Sequence, residues 1–109
     1  MANSFKLKTK SNIGQIADTI YTCPTSTSAT IIGLTVANIF PAAIAVSVQL
    51  ENNDGDDIYI IKNAPVAFGG ALVPIGGDQK VVLEENDSIK VSSNEDDSID
   101  VSLSILEIT

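Results

Sequence analysis

The sequence predicts an all-β domain built as a two-sheet antiparallel β-sandwich, and three observations predict it. The apolar residues are mostly Ile and Val, with one Met and no Trp. β-branched side chains lose freedom in helices and pack well on a pleated surface. Hydropathy alternates with a period of two along the longest apolar segments, and turn signals recur about every eight to twelve residues. One sheet alone would leave its apolar face wet, so about eight short strands should pack as two sheets, in a jelly-roll or Ig-like arrangement.

The elements follow in order. Residues 1–14 read as a basic N-terminal arm, because Lys6, Lys8 and Lys10 stand there with no acid among them. The remaining chain, 15–109, reads as a single domain carrying all 14 acids against three lysines. An arm of this kind is either a solvated tail or a contact onto an acidic neighbour. Residues 11–18 offer only a weak helix, lowered by Gly14.

Residues 17–23 read as the first strand, closed by Pro24. The next spans 30–38, with Ile32, Leu34 and Val36 on one face and Ile31, Gly33, Thr35 and Ala37 on the other. That second, small face has room for close packing. In 44–50, Ile44, Val46, Val48 and Leu50 alternate with Ala45, Ser47 and Gln49, as in a half-buried strand. Shorter strands fall at 58–62, 71–73, 80–83 and 88–92.

The final strand alternates Ile99, Val101, Leu103 and Ile105 with Asp100, Ser102 and Ser104, then shifts phase to Leu106 and Ile108. A phase shift flips faces, so a bulge or a neighbour contact is expected near Ile105, with Asp100 and Glu107 on the outer side. Asp54-Gly55, Glu85-Asn86-Asp87 and 92–97 read as hairpin turns. Phe68-Gly69-Gly70 and Ile75-Gly76-Gly77-Asp78 read as tight turns.

Composition restricts the chemistry. There is no histidine and no arginine, so a Ser-His-Asp arrangement is impossible and a thiolate at Cys23 would lack its usual base. One cysteine forms no internal disulfide. A net charge of −8 argues against nucleic acid, whose phosphates are neutralised by Lys and Arg. The segment 52–57 fails as an EF-hand loop: its glycine, Gly55, comes one place early and Asn63 stands where the bidentate acid belongs. The glycine pairs lack the strand–helix context and internal lysine of a phosphate loop. Tyr21, Tyr59, Phe5, Phe40 and Phe68 are expected in the core or in an interface. No stretch is long and apolar enough for a membrane span, and 1–10 lacks a secretory apolar stretch. No cofactor, metal or small-molecule substrate is expected, and no enzyme.

Several segments carry a resemblance. They are Met1-Ala2-Asn3-Ser4-Phe5-Lys6, Tyr21-Thr22-Cys23-Pro24 with the Ser/Thr residues after it, and Ile32-Gly33-Leu34-Thr35-Val36-Ala37-Asn38. Further along come Ile61-Lys62-Asn63-Ala64-Pro65-Val66, Ile75-Gly76-Gly77-Asp78-Gln79-Lys80-Val81-Val82-Leu83 and Ser104-Ile105-Leu106-Glu107-Ile108-Thr109. Across nearly its whole length the chain resembles small virion structural proteins of tailed phages, notably those of cyanobacteria and other marine bacteria. Those proteins more often have a small residue where Cys23 stands and a glycine at Glu85 or Asn86.

The resemblance implies a β-sandwich repeated many times on a virion, made in a bacterial cytoplasm. Capsid decoration is the favoured position. A neck, tail or fibre-attachment part and a host-glycan-binding module are the alternatives. The partners implied are copies of itself, with a trimer expected, and a major capsid or other virion protein. Phe5, Lys6, Lys8, Lys10, Leu106 and Ile108 are the expected partner-binding residues, from the arm and from the apolar final strand whose edge a neighbour would cover.

Overall fold

The computed structural model describes residues 2–76 and 80–109. Nine strands run through them: β1 (Asn3–Ile13), β2 (Asp18–Thr22), β3 (Ser28–Asn38), β4 (Ile44–Glu51), β5 (Asp57–Val66), β6 (Ala71–Ile75), β7 (Val81–Leu83), β8 (Ser88–Ser93) and β9 (Ile99–Ile108). One sheet has the order β1-β9-β3-β6, with β7 also paired to β3; the second has the order β2-β8-β4-β5. All pairings are antiparallel. Strands β6 and β7 lie one after the other along β3, at Leu34 to Ala37 and at Ala29 to Ile31. Counted as one interrupted strand, they leave four strands per sheet. Every connection then crosses between sheets except the β4–β5 hairpin, which is the connectivity of a jelly roll.

The core lies between the sheets. From the first come Ile31, Leu34, Val36, Ile75, Leu83, Val101, Leu103 and Ile105; from the second come Tyr21, Ile44, Val46, Val48, Ile89 and Val91. Alternation in β4 and β9 positions these side chains as expected. In β3 the faces differ from the sequence reading. The register with β9 shifts between Ile31 and Gly33, so Ile31 is buried and Ile32 is only half-buried. The bulge near Ile105 therefore lies on β3, opposite the Ile105–Ser104 step. β9 itself keeps one phase to its end, so Glu107 points inward instead of outward.

Turn chemistry explains the hairpins. Gly55 has φ +88°, which an L side chain rarely adopts. The Asn52 side-chain oxygen accepts from the Asp54 and Asp56 amides at 3.0 Å each, an Asx turn. At 84–87 Asn86 takes φ 69°, and Asp87 accepts from the Glu84 amide at 2.9 Å. The Gly76-Gly77-Asp78 turn lies in part outside the described residues. No helix forms at 11–18; its first residues belong to β1.

Candidate assembly surface

The basic segment read as an arm is an edge strand. Each ladder partner of β1 lies on β9: Phe5 opposite Leu106, Lys6 opposite Ile105, Leu7 opposite Ser104, Lys8 opposite Leu103 and Lys10 opposite Val101. Opposite residues share a face. Lys6, Lys8 and Lys10 therefore stand on the core-facing side of the first sheet, at its open rim. Inward-pointing charges on an edge strand discourage pairing with a stray strand.

The rim holds a compact polar cluster. The Glu107 side chain is 7 % exposed; Oε1 lies 2.8 Å from Lys6 Nζ, and Oε2 accepts from the Tyr21 hydroxyl. Tyr21 belongs to β2 of the other sheet, so this carboxylate ties the two layers together. Hydrogen bonding from Lys6, then from Tyr21, holds the Glu107 carboxyl below the usual carboxylate range, with the field of Lys8 adding to it. Burial, then the bond to Glu107, pushes the Tyr21 phenol far up. Lys10 Nζ reaches Asp18 Oδ1 on β2 at 3.6 Å, a half-exposed pair. Cys23 is fully buried, its thiol 3.3 Å from the Thr27 carbonyl, and burial pushes its pKa up.

The outer face of the same sheet has the opposite character. Four rows cross it. Asn3, Ile108 and Ser28 form one; Phe5, Leu106, Thr30 and Val82 the next; then Leu7, Ser104 and Gly33; then Thr9, Ser102 and Thr35. None of these side chains ionises. Phe5 is 77 % exposed, Leu7 66 % and Val82 63 %, with Leu106 and Ile108 half-buried between them. The fourth row opens into a shallow depression of about 450 Å³ lined by Thr9, Lys10, Ser11, Thr35, Ala37, Asp100, Val101 and Ser102, with no aromatic ring, so the charged Lys10 and Asp100 stand at this end of the sheet. The expected partner residues thus divide: Phe5, Leu106 and Ile108 share the outer apolar face, while Lys6, Lys8 and Lys10 share the rim. Sequence reasoning missed Leu7 and Val82, which the register adds to the stripe.

The outer face of the second sheet is charged instead. Lys90 Nζ lies 2.9 Å from Glu51 and 3.5 Å from Asp57. Lys62 stands over the Tyr59 ring, 5.1 Å from its centre. Of the five aromatic residues expected in core or interface, only Tyr21 is in the core; Phe40 is half-buried, and Phe5, Tyr59 and Phe68 are exposed. Small residues of β3 face outward, and among the described residues no strand packs over them. Among the described residues no three His, Cys, Asp or Glu side chains converge as a metal site.

No protein-family model and no curated protein sequence matches the chain. Two solved structures resemble it in fold. One is described as "Bacillus endospore appendages form a novel family of disulfide-linked pili"; it is 11 % identical, with a TM-score of 0.61 over 99 % of this chain and 87 % of that one. The other, from infectious bursal disease virus Gt strain, is 9 % identical, with a TM-score of 0.43 over 95 % of this chain and 30 % of that one. At such identities the first likeness shows a shared sandwich fold, and the fold class read from the sequence stands.

Proposed function

We propose that the chain is a non-enzymatic structural subunit that packs against copies of itself in a larger particle, with decoration of a tailed-phage capsid as the specific role. The observation that carries this reading is the apolar stripe of Phe5, Leu7, Val82, Leu106 and Ile108 on the outer face of the β1-β9-β3 sheet, in four rows without an ionisable side chain, in a protein of net charge −8. Exposed apolar patches of this kind mark interaction sites. Rows free of ionisable groups also let two strongly acidic bodies approach without setting like charges against each other across the stripe. The phage assignment rests on the sequence resemblance. Those sequences more often have a glycine at Glu85 or Asn86, and of these two residues it is Asn86 that holds a left-handed φ, 69°, the conformation glycine favours.

The test is solution mass by size-exclusion chromatography with light scattering. A closed oligomer, a trimer by expectation, supports the reading; a monomer at every concentration opposes self-assembly. Purified phage particles containing the chain in many copies would support decoration.

A second reading is a surface-appendage subunit, favoured by the likeness to the endospore appendage over nearly the whole chain. It requires a head-to-tail contact that extends without closing, so filaments in electron micrographs would select it. The buried Cys23 does not present a thiol for links between copies.

A further inference from the structure

We propose that β1 is an exchangeable strand, and that the seat it occupies along β9 also accepts β1 of a second copy of this chain. This deepens the self-assembly reading and rests on it.

Three observations converge. First, β1 is held by its ladder and by two ion pairs rather than by buried side chains. From Asn3 to Asn12 none of its side chains is buried; the first is Ile13. Lifting the strand up to Asn12 therefore withdraws no buried side chain of its own; it breaks the ladder and the Lys6–Glu107 and Lys10–Asp18 pairs, which an incoming identical strand remakes. Second, a hinge stands at the right place. The register with β9 breaks between Lys10 and Ile13, and Asn12 has φ 56°. Beyond the break the chain is anchored: the Ile13 carbonyl accepts from the Ser98 amide at 3.0 Å and the Gly14 carbonyl from the Ser93 amide at 2.9 Å. Third, the seat carries the complementary charge. Lys6 and Lys10 are met by Glu107 and Asp18, both outside the strand itself.

The occupant follows from the register. The ladder and ion pairs of the seat are matched to this sequence, so an identical strand from a second copy would remake them. Exchange of an identical element is a low-cost route to an oligomer, because the pairing given up within one copy forms again between two. The basic segment then reaches an acidic neighbour, and that neighbour is another copy of the chain.

Charge reversal in two separate chains tests this. Lys6→Glu alone sets two carboxylates together at the rim, and Glu107→Lys alone sets two ammonium groups together. When strands are exchanged between the two variants, one strand's new carboxylate meets the other chain's new ammonium, and the second seat keeps its native pair. The two variants, refolded together and weighed by native mass spectrometry, should give mixed oligomers well above the random proportion, with the melting temperature moving back toward wild type. Random or segregated proportions, with melting unchanged from the separate variants, would overturn exchange. If either chain fails to fold alone, the exposed pair Lys10→Asp and Asp18→Lys gives the same comparison. Wild-type oligomers with random mixing would sink strand exchange and leave self-assembly standing. Wild-type monomers throughout would sink both.

Discussion

Glu107 occupies a position where a period-two strand normally carries an apolar side chain, and it is tolerated because both its oxygens have partners. An unpaired carboxylate there would be costly; Lys6 and Tyr21 satisfy it from two other strands. These partners lie far away in sequence, so hydropathy alternation alone placed Glu107 outside. The pairing has a pH signature. A carboxyl whose folded pKa is depressed contributes stability above its unfolded value, about 4.3, and loses it as pH falls through the folded value. Glu107→Gln should cost about 1–2 kcal/mol at neutral pH. The gap to wild type should close as pH falls below the ordinary carboxylate range, which urea denaturation at several pH values will read. Tyr21 and Cys23 act at the other limb. Their raised pKa values contribute stability below the unfolded values, which is lost as the solution becomes alkaline.

Asn38 is a second residue whose role sequence did not disclose. Buried at the end of β3, its amide nitrogen lies 2.9 Å from the Ala42 carbonyl, 3.2 Å from that of Val66 and 3.1 Å from that of Ala67; its oxygen accepts from the Phe40 amide at 2.8 Å. One side chain thus ties the β3–β4 turn to the end of β5. Asn38→Ala leaves buried backbone groups unpaired and should destabilise the domain by about 2–3 kcal/mol, seen as a lower urea midpoint with an unchanged slope.

Among the elements, the eight strands from β2 to β9 were legible because alternation and turn residues agree. β1 was not. Its period-two pattern is present, with Phe5 and Leu7 alternating with Lys6, Lys8 and Lys10. Three lysines without an acid among them signal a charged tail more strongly than they signal one face of a strand. An edge strand that buries only Ile13 leaves no strong hydropathy signal. The bulge in β3 was equally hidden, since Ile31 and Ile32 are interchangeable in hydropathy and only the pairing with β9 chooses between them. The outer stripe was half legible: Phe5, Leu106 and Ile108 were expected, while Val82 joins them through the β7–β3 register.

Strand β9 permits a paired prediction, because neighbouring residues on it face opposite ways. Leu103 is fully buried and Leu106 lies on the outer face. Leu103→Asp buries an unpaired charge and should unfold the domain, by circular dichroism at room temperature. Leu106→Asp should keep the fold within about 1 kcal/mol of wild type, yet shift the solution mass toward the monomer. If Leu103→Asp melts normally, the assignment of faces is reversed.

As a whole molecule, the sandwich measures 45 × 26 × 22 Å. Its two broad outer faces differ in kind: one carries no ionisable side chain across its four rows and exposes Phe5, Leu7 and Val82 among hydroxyl residues, the other carries the Lys90–Glu51–Asp57 group. Such asymmetry suits a subunit with one face toward neighbours and one toward water. It also determines how salt acts. Each copy carries a net charge of −8, so the proposed self-assembly would work against repulsion between like-charged bodies. Salt screens that repulsion within a Debye length of about 8 Å at physiological ionic strength and about 3 Å at 1 M. If the apolar stripe carries the contact, raising salt removes repulsion and leaves the attraction intact, so the oligomer should tighten in sedimentation velocity. If ion pairs between copies dominate, the same titration should loosen it. A steady rise in the dissociation constant with salt would therefore move the main contact from the outer face to the rim, where Lys6 and Lys10 meet Glu107 and Asp18.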